Sequence, residues 1–183
     1  MSDFGTMLDP HSIRFERLLP GPLERVWNFL TKPENLATWL AQAEVELRVG
    51  GRVELHFDVD EVPGRKKVGS LIRGVVTRCE PPRLLEYTWV VPAPAESPSA
   101  EGPVPDTIVT FELHPRGQDV LLVLTHRRLP SALIPRFGAG WHTHLEVLKA
   151  RMSGEAPEAF LAVFDRVLPG YEQQAAKRAT RGE

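Results

Sequence analysis

Apolar and polar positions alternate from residue 13 onward. In SIRFERLL, Ile13, Phe15 and Arg17 fall on one side and Arg14, Glu16 and Leu18 on the other, which predicts an opening strand. The period then lengthens. Leu23, Val26, Trp27 and Leu30 recur at i, i+3, i+4 and i+7, a helical stripe with Pro22 at the first helical position. Trp27 reads as a core anchor of that helix. Thr31 and Pro33 end it, and KPENLATWL is a short second helical turn carrying Trp39, whose polar neighbours take it out of a uniform core pattern.

From residue 43 the period is two. AEVELRVGGRVELHFDV predicts two strands joined at Gly50-Gly51, a pair able to supply the positive φ of a tight turn. Val53, Leu55 and Phe57 share one face; Arg52, Glu54 and His56 share the other. VGSLIRGVVTRCE is a long strand with Gly69 and Gly74 as candidate bulges, PPR is a turn, and LLEYTWVV groups Leu85, Tyr87 and Trp89. Five prolines between residues 92 and 105 exclude a central strand there. That stretch reads as an extended loop between hairpin arms, projecting from the sheet edge with weak order. Alternation resumes in DTIVTFEL with Val109, Phe111 and Leu113, turns at Arg116-Gly117-Gln118, and ends with DVLLVLTHRRL.

Helical spacing returns with Trp141, Leu145, Leu148 and Met152 at i, i+4, i+7 and i+11, with His144 flanking the stripe and Gly154 as its C-cap. Pro157 opens a further helix with an apolar face at Phe160, Phe164 and Val167, interrupted at Pro169-Gly170, and the tail is a frayed terminal helix. Such a face requires burial, either by folding back on the domain or in a homodimer. The organisation is a polar leader (1–12), an α+β domain (13–154) and a helical extension (155–183).

Composition narrows the function classes. The 22 basic and 24 acidic side chains nearly cancel, so no overall field recruits nucleic acid or an anionic membrane, and the basic run Arg65-Lys66-Lys67 reads as a solvated turn. One cysteine, Cys79, leaves no intramolecular disulfide framework or multi-cysteine zinc site. The N-terminal residues lack a signal-peptide pattern and no apolar run reaches about 18 residues, so a soluble cytoplasmic protein is expected. GAGWHTHLEVL places His142 and His144 two apart on a helix, where they diverge by about 200°. His142 and Glu146 share a face, but two ligands without a third do not hold a catalytic zinc, so no metal is expected. No nucleophile elbow, phosphate loop or paired-carboxylate pattern is present, so no catalytic residue or cofactor is assigned.

The element order and the blocks FERLLPGPLERVWNFLTKPENLATWL, VGGRVELHF, EPPRLLEYTW, TIVTFEL and GAGWHTHLEVL resemble the START/SRPBCC (Bet v 1-like) superfamily. The nearest likeness is to the branch of the activator of heat shock protein 90 ATPase homologues. The resemblance implies a helix-grip fold, with a curved antiparallel β-sheet wrapped around a long C-terminal helix. It also implies a cavity between them for a small apolar or amphiphilic ligand. It leaves two alternatives: a co-chaperone, or a cyclase or dehydratase acting in the same cavity. The chain has no room for the co-chaperone's companion domain, which argues against a chaperone partner. In such a fold Trp39, Trp89 and Trp141, from three separate elements, approach the cavity mouth, and Phe57 and Phe111 line the concave face. Four polar residues are expected inside: Arg73, mid-strand among apolar neighbours; Tyr87, on the face of Trp89; His126, in phase with Leu122 and Leu124; and His144. His126 and Tyr87 are the preferred polar pair, and a cavity of about 300 Å³ or more is expected.

Overall fold

A computed structural model of the chain describes residues 4–57, 70–91 and 106–181. Arg65-Lys66-Lys67, Gly69 and the proline-rich stretch 92–105 lie outside the described residues. The alternating segments form strands β1 (Thr6–Asp9), β2 (Ser12–Pro20), β3 (Gln42–Val45), β4 (Arg52–Phe57), β5 (Ser70–Glu80), β6 (Leu84–Trp89), β7 (Thr107–Arg116) and β8 (Asp119–Arg127). The helical segments are α1 (Leu23–Thr31), α2 (Pro33–Leu36), α3 (Ile134–Ser153) and α4 (Phe160–Arg181).

One antiparallel sheet runs β1-β2-β8-β7-β6-β5-β4-β3, so every neighbouring pair except β2–β8 adjoins in sequence. The β2–β8 pairing, with Phe15 opposite Leu124, joins the first strands to the last. A register shift between Val76 and Arg78 puts a bulge into the β5–β6 pair, which adds local twist to the curved sheet. Gly74 keeps its register with Val53 and is not that bulge. Its role is close approach, since a Cβ there would clash with the Thr88 carbonyl oxygen.

The curved sheet wraps around the long C-terminal helices, giving the α+β helix-grip fold. Trp141, Leu145, Leu148 and Met152 of α3 are buried, and Gly154 caps that helix with φ 74°. Helix α4 packs on α3. It starts at Phe160, three residues after Pro157, and it runs unbroken through Pro169 and Gly170. Packing on both sides of the interruption outweighs the roughly 3 kcal/mol that an interior proline costs. Val167 is buried before it and Tyr171 after it; the Tyr171 hydroxyl accepts from the Gly5 N–H at 2.9 Å and shares a hydrogen bond with His142 Nδ1 at 3.0 Å. Gly138 makes the approach possible, because a Cβ there would sit 2.7 Å from the Tyr171 ring. Gly170 does the same for Phe4. The segment read as a polar leader is therefore structural: β1 pairs with β2, and Met7 joins the core. No helix among the described residues is long and apolar enough to cross a membrane.

Candidate functional site

Most of the space between sheet and α3 is occupied by the protein's own rings. Tyr87 stacks on Trp89 at 6.4 Å and meets Phe111 at 6.0 Å, and Phe111 packs edge-on to Trp141 at 6.0 Å. His126 is fully buried among them. Its Nδ1 accepts the Trp141 indole N–H at 2.9 Å, which puts the ring proton on Nε2. That N–H donates to Thr107 Oγ1 at 2.7 Å, and the threonine hydroxyl donates to the Trp89 carbonyl at 2.9 Å. Burial lowers the His126 pKa to about 3, so the ring is a neutral connector between α3, β7 and β6. Tyr87 is likewise sealed, and burial raises its pKa. The expected polar pair, His126 and Tyr87, therefore lies with Phe111 behind the site and not in it.

A cleft of about 270 Å³ remains where the first half of α3 meets the sheet. This is slightly below the expected volume and near the small end of ligand sites. Phe57 of β4 and Trp89 of β6 form one wall, 5.9 Å apart between ring centres. Leu133, Phe137 and Trp141 form the other, with Trp141 edge-on to Trp89 at 5.2 Å, and Leu40 closes one side. Arg136, Gly140 and His144 complete the lining from α3.

Three polar groups of the lining residues have no hydrogen-bond partner among the described residues. His144 Nδ1–H donates to the Trp39 carbonyl at 2.9 Å, which leaves Nε2 as an unshared acceptor. Apolar surroundings lower its pKa to about 4, partly offset by that hydrogen bond. Trp89 is 6% exposed and its indole N–H is buried with no acceptor. The guanidinium of exposed Arg136 makes no hydrogen bond or ion pair among the described residues. The cleft thus offers aromatic walls, one acceptor and a cation, with the Trp89 N–H sealed in its wall. Among the described residues no group of three or more His, Cys, Asp or Glu side chains is placed to hold a metal ion.

Of the nine residues expected at the site, Phe57, Trp89, Trp141 and His144 line the cleft. Trp39 is a correction: it is 3% exposed and its indole N–H donates to the Phe29 carbonyl at 2.9 Å, so it ties the turn after α2 to α1. Arg73 is another. The strand alternation that buries Ile72 turns Arg73 outward, 62% exposed and 3.7 Å from Glu54 on β4. Sequence reasoning missed Leu40, Leu133, Arg136, Phe137 and Gly140. Stepping four and eight residues upstream from Trp141 reaches Phe137 and Leu133, and the same steps from His144 reach Gly140 and Arg136.

The family model described as activator of Hsp90 ATPase homolog 1-like protein matches residues 20–153. No curated protein matches the chain. Among solved structures, the protein encoded by gene BPP1335 of Bordetella parapertussis is 39% identical, with a TM-score of 0.71 over 92% of this chain and 88% of that one. CalU16 from Micromonospora echinospora is 24% identical, with a TM-score of 0.68 over 90% and 88% of the two chains. DynU16, from the dynemicin biosynthetic locus, is 18% identical, with a TM-score of 0.64 over 82% of this chain and 50% of that one. For these last two the likeness is one of fold.

Proposed function

The chain belongs to the activator of Hsp90 ATPase homolog 1-like family, and from that premise we propose that it binds a small, largely apolar molecule with a polar group in the cleft beside α3. One observation carries this reading: among the described residues His144 Nε2 is an unshared acceptor on the lining of an otherwise largely apolar cleft. An acceptor left without a donor in such surroundings costs about 1–3 kcal/mol, which a ligand hydroxyl would recover. Covering about 200 Å² of a two-ring molecule would add about 5 kcal/mol before entropic costs. Native mass spectrometry of protein from its own host, followed by tryptophan-fluorescence titration with whatever co-purifies, tests the reading. Trp89 and Trp141 should report binding, and Leu133→Trp, which fills the cleft, should abolish it with the fold intact. Equal binding by that variant would place the ligand elsewhere.

His144 favours a second reading, an enzyme such as a cyclase or dehydratase acting on a molecule held in the same cleft. An unshared ring nitrogen inside an apolar space is positioned to take a proton. A pKa of about 4 makes it a weak base at neutral pH, and for that reason binding is placed first. Incubation with the co-purifying molecule separates the two: product formation that disappears in His144→Gln supports catalysis, and an unchanged molecule supports binding.

A further inference from the structure

Gly140 sits inside a long helix, where glycine is the least favourable residue after proline. Its neighbour Gly138 has a packing reason, the Tyr171 ring; Gly140 has none. A Cβ at Gly140 would meet no atom within 4 Å. The position faces the cleft, between Arg136 and His144. These three residues are spaced four apart, so they share one face of α3, over about 12 Å at 1.5 Å per residue.

We propose that Gly140 is a specificity-determining residue, and that the cleft selects a flat hydroxyaryl carboxylate lying across the bare helix backbone there. The proposal rests on the binding reading above and adds the chemical class of the ligand. His144 Nε2 requires a donor, and a hydroxyl is the small neutral group that supplies one. Phe57 lies 5.9 Å from the Trp89 ring and 5.8 Å from the His144 ring, so both nitrogen-bearing rings flank the same wall. At the other end of the row, the Arg136 guanidinium presents a planar fork matched to a carboxylate. The aromatic walls take the flat ring system, which a methyl group at Gly140 would hold off the helix.

The test is isothermal titration calorimetry with three probes: 2-naphthol, 2-naphthoate and 6-hydroxy-2-naphthoate. The third should bind at least about tenfold more tightly than either of the others, the gain of one extra charge-assisted or buried hydrogen bond. Gly140→Ala should raise Tm by about 2–4 °C, since alanine is the better helix former and meets no atom. The same variant should bind 6-hydroxy-2-naphthoate at least about tenfold more weakly, a loss that unfolding cannot explain. Arg136→Gln should erase most of the advantage of 6-hydroxy-2-naphthoate over 2-naphthol. The proposal is overturned if 6-hydroxy-2-naphthoate binds no more tightly than the single-function probes, or if Gly140→Ala binds it as the wild type does. In those cases binding of 2-naphthol leaves the broader reading standing. Failure of all three probes, together with no co-purifying molecule, overturns both.

Discussion

Replacing His126 by phenylalanine keeps a ring in a fully buried site and removes both of its hydrogen bonds. The Trp141 indole N–H loses its acceptor, and Thr107 Oγ1 loses a donor while keeping its own bond to the Trp89 carbonyl. At about 1–3 kcal/mol for each buried group left unpaired, the variant should be about 2–4 kcal/mol less stable at pH 7. The pH dependence isolates the histidine. Burial lowers its pKa from 6.5 to about 3 in the folded state. The unfolded chain therefore takes up the proton first as pH falls, and stability falls with it. The contribution of the neutral ring is complete above about pH 6.5 and is lost progressively toward about pH 3. Between pH 7 and pH 5 the loss comes to about 2 kcal/mol. The wild type should lose that much more than His126→Phe over the same interval, while His144, with its folded pKa of about 4, titrates in both proteins and cancels. Urea unfolding at pH 7, 6 and 5 at fixed ionic strength measures the gap. A gap that stays constant or widens toward pH 5 refutes the argument.

Trp39→Ala should cost about 3–5 kcal/mol in urea unfolding, the usual loss for a buried tryptophan, because Trp39 is core and not cleft. Its ligand affinity, measured well below Tm, should stay within a few-fold of wild type; a selective loss of binding at full stability would return Trp39 to the site. Light scattering should give a monomer across a hundredfold concentration range. The α4 face is covered in large part by its own chain, with Val167 buried, Phe164 half-buried, and exposed Phe160 4.8 Å from the His144 ring. A concentration-dependent dimer would mean that this cover is insufficient. Added to a heat shock protein 90 ATPase assay, the chain should produce no dose-dependent rise in turnover, and a rise would favour the co-chaperone alternative.

Local periodicity determined much of this molecule before any contact was known. The switch from a period of 3.6 to two and back delimits α1, the run of strands and α3, because side-chain direction repeats with those periods whatever the partner. Gly154 ends α3 because a left-handed residue at that point favours glycine. The divergence of His142 and His144 followed from helix geometry, and the two now point to different partners, Tyr171 and Trp39. Tertiary structure alone decided the rest. Periodicity shows that Tyr87, Trp89, Phe111 and His126 face inward, but it does not show which of them meets a cavity and which meets another ring. That depends on contacts between distant segments, such as His126 with Trp141 across α3 and β8. The same cause explains the two misread termini. Pro169-Gly170 breaks a helix in isolation, yet α4 continues because Val167 and Tyr171 bury against the domain. The leader is polar by composition, yet Phe4 and Met7 find a surface that exists only once α4 and the sheet are assembled.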